Sequence, residues 1–166
     1  MIFETTRCVI RKVHDGDFEG MYELQSNPKV MLYSSDDVQT ADEVRKDIQY
    51  LKSQYEEINP ELLVWAITNR SGQFIGTCAV VLKSEEDCEI GYRILERFWG
   101  QGFATEVTKV LVSYCQSSYP GRQLCAYCFI ENVASGKVLE KAGFTKEREF
   151  FNEEEGLQDA YYVIRA

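Results

Sequence analysis

The sequence predicts a mixed α/β domain whose sheet is largely antiparallel, with elements in the order βααβββαβαββ. Three observations carry that reading. Segments with apolar residues at every second position alternate with segments repeating at threes and fours. Turn punctuation separates them at Asn27-Pro28, Asn59-Pro60, Asn69-Arg70-Ser71-Gly72 and Pro120-Gly121. Strands also follow one another through short turns, both mid-chain and at the end.

The elements come in order. Cys8–Val13 alternates as a strand, and Asp15 then caps a helix carrying Phe18, Met21, Tyr22 and Gln25, ended by Asn27-Pro28. Thr40-x-x-Glu43 is a capping-box signature, and Val44, Ile48, Leu51 and Tyr55 follow on one helical face. Leu62–Thr68 and Gln73–Leu82 read as a hairpin, and Asp87–Leu95 as a further strand after an acidic turn. Ala104, Val107, Leu111, Tyr114 and Cys115 mark a helix running to about Ser118. The strand Leu124–Ile130 leads into a helix capped by Asn132, with Ala134, Val138, Leu139 and Ala142 as its stripe and Gly143 as its terminator. Lys146–Phe151 and Ala160–Arg165 are the last strands, flanking the acidic turn Asn152–Gly156.

Composition narrows the function. The chain's 166 residues, 45% hydrophobic and without low-complexity segments, suit one domain spanning 1–166 with a sizeable core. No apolar run approaches the roughly 20 residues that span a bilayer, and the start Met1–Arg7 lacks a signal peptide's basic and apolar regions. The expectation is a cytoplasmic protein without a membrane partner. A net charge of −9 argues against nucleic acid as a partner and suits a cationic amine or basic protein. The Cys125-Ala126-Tyr127-Cys128 pair lies in a strand, where residues three apart face opposite sides, so the six cysteines read as buried thiols. With a single histidine, His14, no structural metal site is expected, and a Ser–His–Asp hydrolase finds no Ser elbow beside it.

The stretch Arg97-Phe98-Trp99-Gly100-Gln101-Gly102-Phe103-Ala104-Thr105-Glu106 joins a strand to a helix through a glycine-spaced turn. That layout binds phosphate: glycine permits close backbone approach, and the first helical turn offers free N–H groups backed by the helix dipole. The spacing is neither the dinucleotide fingerprint, since position 105 is Thr, nor the nucleotide-triphosphate loop, since Gly-Lys-Ser/Thr is absent. Arg93, Arg97, Lys137 and Lys141 are the cations that would make the region locally basic.

Arg-x-x-Gly-x-Gly-x-Ala before a helix resembles the pyrophosphate-binding turn of the GNAT N-acetyltransferases. Asn132-x-x-Ser135 followed by Glu140-Lys141-Ala142-Gly143-Phe144 is similar to a second segment of that family. Glu89-Ile90-Gly91-Tyr92, Trp99-Gly100, Ala104-Thr105-Glu106 and Asp159 further resemble the RimJ/RimL-like subgroup that acetylates ribosomal-protein N-termini. The resemblance implies the GNAT fold, in which the sheet splays after the strand preceding the glycine loop. It implies acetyl-CoA as co-substrate, with its diphosphate on the amides of Gln101, Gly102, Phe103, Ala104 and Thr105, Gly100 allowing the approach and Arg97 adding charge. Part of the cofactor would pair like an added strand with the strand end at Ile94 and Leu95.

Acetyl transfer to an amine needs a base for the amine and a stabiliser for the departing thiolate. Glu89, in the strand before the loop, and Glu96, opening it, are the candidate bases, each also readable as a solvated glutamate. The resemblance places Ser135 near the cofactor sulfur as the candidate acid, and Asn132 on the pantetheine arm. Their structural alternatives are a first-turn serine bonding its own backbone and a plain N-cap. Many relatives carry a Tyr where this chain has Leu139. Tyr33, Trp65, Tyr92 and Tyr127 are candidates for an acceptor pocket. The expected activity is acetyl transfer to a primary amine, either a protein N-terminus or a small molecule; the alternative is a non-catalytic acyl-CoA-binding or regulatory module. A homodimer would pair through an edge strand such as Ala160–Arg165.

Overall fold

The computed structural model describes residues 1–165. In chain order the elements are β1 Phe3–Glu4, β2 Cys8–Lys12, α1 Phe18–Ser26, α2 Pro28–Met31, α3 Ala41–Gln54, β3 Leu62–Asn69, β4 Phe74–Val81, β5 Asp87–Ile94, α4 Phe103–Ser118, β6 Gln123–Phe129, α5 Val133–Lys141, β7 Thr145–Asn152 and β8 Leu157–Val163. They build one eight-stranded sheet in the order β1-β2-β3-β4-β5-β6-β8-β7.

Local signals explain most boundaries. Thr40 Oγ1 accepts from Glu43 N at 3.3 Å and the Glu43 carboxylate accepts from Thr40 N at 3.4 Å, a reciprocal cap that starts α3. Asn132 caps α5, accepting from Ser135 N at 3.3 Å. Asn27-Pro28 ends α1 as expected but also begins α2: Asn27 accepts from Lys29 N at 2.9 Å, and proline suits the first helical position because its missing N–H would go unbonded there. The two-residue β1, held by pairing to β2, is too short to leave a periodic signal.

Two layers of helices sandwich part of the sheet. On one face α4 and α5 bury Val107, Leu111 and Leu139 against Ile10, Trp65 and Val80. On the other, α1 and α3 bury Met21, Val44, Ile48 and Leu51 over Val13 and Ala66. Beyond them, Cys125, Tyr161, Val163 and Phe150 form a small cluster from strand residues alone. Cys125 belongs to that cluster and Cys128 to the opposite core, which is the strand parity expected of residues three apart.

Two features of the sheet matter most. β5 and β6 are its parallel pair, joined by the crossover through α4, and they pair only at Asp87↔Gln123, Cys88↔Leu124 and Glu89↔Cys125. Past Glu89, β5 continues against β4 as far as Ile94, while β6 continues against β8 as far as Phe129. The sheet therefore opens between them.

The second feature corrects an expectation. The final strand inserts between β6 and β7, pairing with both, so β7 is the edge and β8 is not. With both sides hydrogen-bonded, Ala160–Val163 has no free edge through which a second copy could extend the sheet.

On the buried face of α4, Thr108 is 0% exposed and its Oγ1 has no hydrogen-bond partner among the described residues. Thr108→Val keeps the shape and removes an unsatisfied hydroxyl. It is expected to stabilise the fold by about 1 kcal/mol, read as a higher midpoint in urea with an unchanged slope.

Candidate active site

The turn between β5 and α4 is where backbone conformation departs most from the ordinary. Glu96–Phe98 makes one 3₁₀ turn, then Gly100 and Gly102 take φ of +73° and +82°. Side-chain-bearing residues rarely adopt those angles, so both glycines are required by the path of the chain. Gly102 C=O accepts from Glu106 N at 3.0 Å to start the helix. Among the described residues, no hydrogen bond is made by any backbone N–H from Gly100 through Thr105. They lie at the start of a 16-residue helix, with its dipole behind them.

The opened sheet adds a second set of free backbone groups. Leu95 N donates to Ile75 O at 2.9 Å, across to β4. Peptide groups alternate along a strand, so those of Tyr92 and Ile94 point the other way, into the gap toward β6. The Ile94 carbonyl already accepts from the Trp99 indole at 2.8 Å, which leaves its N–H. Leu95 is a correction. Its N–H serves β4, its C=O accepts from Phe98 N at 2.9 Å, and its side chain is buried, so it offers no free backbone group to the gap.

Arg97 and Arg93 also differ from expectation. Arg97 pairs with Glu23 of α1 at 3.2 Å and lies over the Phe98 ring, so its charge is neutralised away from the loop. Arg93 bonds Ser34 and Asp36 of the segment before α3. Lys141 does border the loop: with Thr5, Thr6, Gly102, Thr105 and Lys109 it lines a cleft of about 440 Å³.

The two carboxylates separate clearly. Glu89 is the last β5 residue to pair with β6, at the apex of the gap. It is half-buried, and its carboxylate makes no hydrogen bond or ion pair with the described residues. Burial pushes its carboxyl above the ordinary range; Lys83 opposes this, and Asp159 and Asp87 add to it. Glu96 instead accepts from Asn27 Nδ2 at 2.8 Å and Lys29 Nζ at 3.0 Å, and those bonds hold its carboxyl below the ordinary range. A depressed, occupied carboxylate is the weaker base.

Across the gap, Ser135 Oγ lies 2.8 Å from Tyr92 OH, so a β5 side chain reaches the first turn of α5. Burial pushes the Tyr92 phenol up to about 12, keeping it protonated at neutral pH. Trp65 is not pocket-lining: it is 2% exposed, edge-on to Phe3 and Tyr114 in the α4-side core. Tyr33 is half-buried, and Tyr127, 44% exposed, lies beside Phe150 and Tyr161 on the face that Glu89's strand partner Cys125 shares. His14 is exposed in the turn after β2.

Residues 7–145 match the family profile described as "Acetyltransferase (GNAT) domain". The chain belongs to the GNAT acetyltransferase family. It is 32% identical over 150 residues to the uncharacterized N-acetyltransferase YoaA of Bacillus subtilis, covering 88% of this chain and 84% of that one. Many solved structures share the fold, and two of them hold coenzyme A. One is RimL, a ribosomal L7/L12 alpha-N-protein acetyltransferase in complex with coenzyme A, with TM-score 0.81, 20% identity and coverage of 98% and 97%. The other is spermidine N-acetyltransferase of Vibrio cholerae in complex with CoA and spermine, with TM-score 0.80, 18% identity and coverage of 95% and 94%.

As a GNAT acetyltransferase the chain is an acyltransferase that uses acetyl-CoA, and the free amides after Gly100 fit a diphosphate without a cation. A Cβ at residue 102 would keep a positive φ that L-residues resist and sit 3.4 Å from Arg7 Nη2. Gly102→Val is therefore expected to weaken CoA by well over ten-fold. Arg97→Ala, which removes one exposed, paired cation, should cost under about 1 kcal/mol, or less than about five-fold. Calorimetric titration of both folded variants with CoA checks the order.

Proposed function

We propose that the enzyme transfers acetyl from acetyl-CoA directly to a primary amine, using Glu89 as base and Ser135 as the group facing the departing sulfur. The observation that carries this is the run of unbonded N–H groups from Gly100 to Thr105 at the mouth of a parted sheet. The loop amides of Gln101 to Thr105 take the diphosphate, and the gap-facing backbone of Tyr92 and Ile94 takes the pantetheine arm, with Asn132 beside it.

At the gap's apex Glu89 accepts the proton that the attacking amine must lose, directly or through water. Its raised affinity for protons suits it to that task better than Glu96. Ser135 hydrogen-bonds the sulfur as the carbon–sulfur bond breaks, and Tyr92 fixes where its hydroxyl points. The acceptor is a cationic amine, drawn by the net charge of −9. Its two candidate forms are a protein N-terminus, as in the RimJ/RimL-like reading, and a small polyamine-like amine. RimL and the spermidine enzyme represent these two chemistries on one fold. We place this activity in the cytoplasm.

Free-thiol release from acetyl-CoA across a panel of polyamines, amino acids and short peptides tests the reading. At least one amine class is expected to give stoichiometric thiol; CoA binding with no release from any amine favours a non-catalytic binding module instead. With the best acceptor, the parent's kcat/KM rises with pH through the raised Glu89 pKa, because the base works only when deprotonated. Glu89→Gln should lose that limb and about 100-fold or more in kcat.

A further inference from the structure

The turn between β1 and β2 makes a set of contacts that acetyl transfer by itself does not call for. Arg7 Nε bonds Glu106 Oε1 at 2.8 Å and Arg7 N bonds Glu106 Oε2 at 3.0 Å, between residues 99 apart in sequence. Thr5 Oγ1 donates to the same Glu106 Oε2 at 2.5 Å and accepts from Cys8 N at 3.0 Å. The guanidinium lies 4.2 Å over the Phe103 ring, and its Nη1 donates to the carbonyl of Gln101 at 3.0 Å.

The last bond has a stereochemical consequence. In a trans peptide the C=O and the next N–H point in opposite directions, and the chain has no cis peptide among the described residues. Holding the Gln101 carbonyl toward Arg7 therefore turns the Gly102 N–H away from it, outward from the clamp. Of the loop's peptide groups, this is one that a flexible glycine turn would otherwise leave free to flip.

Glu106 presents an electrostatic puzzle that the same contacts resolve. It lies in the first turn of α4, where a carboxylate favours the helix dipole but competes with any anion bound there. Burial raises its carboxyl, but Thr5 and Arg7 outweigh burial and hold it below the ordinary range, so it stays ionised and occupied. Its acceptor directions face the β1–β2 turn.

We infer that Arg7 is a positioning residue for the cofactor: with Thr5 and Glu106 it locks the glycine loop so that the Gly102 N–H faces the diphosphate. The inference rests on the reading of the loop as the diphosphate site. It assigns Arg7 an orienting role rather than a direct charge on the phosphate, and those two roles differ in a measurable sign.

The test compares acetyl-CoA with S-acetylpantetheine, which carries the thioester but no diphosphate, in the parent, Arg7→Lys and Glu106→Gln enzymes. Folding of each variant is confirmed by its thermal transition. Lysine keeps the charge but cannot bond Glu106 and Gln101 together in a fork. Glu106→Gln is the sharper variant. If charge alone matters, removing a carboxylate beside an anion tightens acetyl-CoA; if the clamp orients the loop, the same change loosens it. Both variants are expected to raise KM for acetyl-CoA about ten-fold, the size of one oriented hydrogen bond to a charged group. Their kcat should hold, and kcat/KM for S-acetylpantetheine should stay within about two-fold of the parent. Unchanged or tighter acetyl-CoA binding in Glu106→Gln overturns the proposal, as does an equal loss with both donors. If the parent itself has the same KM for the two donors, the diphosphate reading of the loop fails first and the role of Arg7 falls with it.

Discussion

The first N–H groups of an α-helix have no acceptor within the helix, and here the run without a partner among the described residues reaches back through the glycine turn to Gly100. Much of the local architecture follows from keeping them free. The loop must reverse direction in a few residues, which demands the left-handed angles of Gly100 and Gly102. The helix must begin at once, so Gly102 supplies the first acceptor and the dipole lies behind the turn. The loop must also open beside a gap, and the early end of β5–β6 pairing provides that. In acetyl-CoA the pantetheine arm joins the diphosphate to the thioester, and in the proposed reading the gap holds that arm between the loop and Glu89.

Holding an anion this way reconciles the site with an acidic chain. The nearby charges are largely cancelled in pairs: Arg7 with Glu106, Arg97 with Glu23, Arg93 with Asp36, Lys29 with Glu96. What the loop offers the phosphates in the proposed reading is a set of backbone dipoles, with Lys109 and Lys141 at the rim. Oriented amides need no opposing carboxylate and do not repel the acceptor amine. Glu89, whose carboxylate has no ion-pair partner among the described residues, stands instead at the apex of the gap, where the proposed reaction needs a base. Burial there makes it more basic, the direction the chemistry requires.

Much of this was legible in the sequence because its signals are local. The Thr40–Glu43 and Asn132–Ser135 caps, the turn dipeptides and the parity of Cys125 and Cys128 each act within a few residues. The glycine loop read correctly as strand, turn and helix for the same reason. What escaped depends on partners distant along the chain. Arg7 reaches Glu106 across 99 positions, and nothing about Thr5-Thr6-Arg7 alone marks it as loop support. Arg97 looks like a phosphate cation until Glu23 is beside it. Leu95 looks available until Ile75 takes its N–H. The insertion of β8 between β6 and β7 is a choice of neighbour, which alternation along a strand cannot encode.

In the proposed reading these amides, rather than a cationic side chain, receive the cofactor's diphosphate. A ¹H–¹⁵N correlation spectrum of the assigned protein, titrated first with CoA and then separately with pantetheine, tests it most directly. CoA is expected to shift the amide resonances of Gly100 to Thr105 most strongly and downfield, as new hydrogen bonds to phosphate require. Pantetheine should leave those resonances in place while moving Tyr92 and Ile94. If CoA binds and the Gly100–Thr105 amides do not move, or move equally with pantetheine, the diphosphate lies elsewhere.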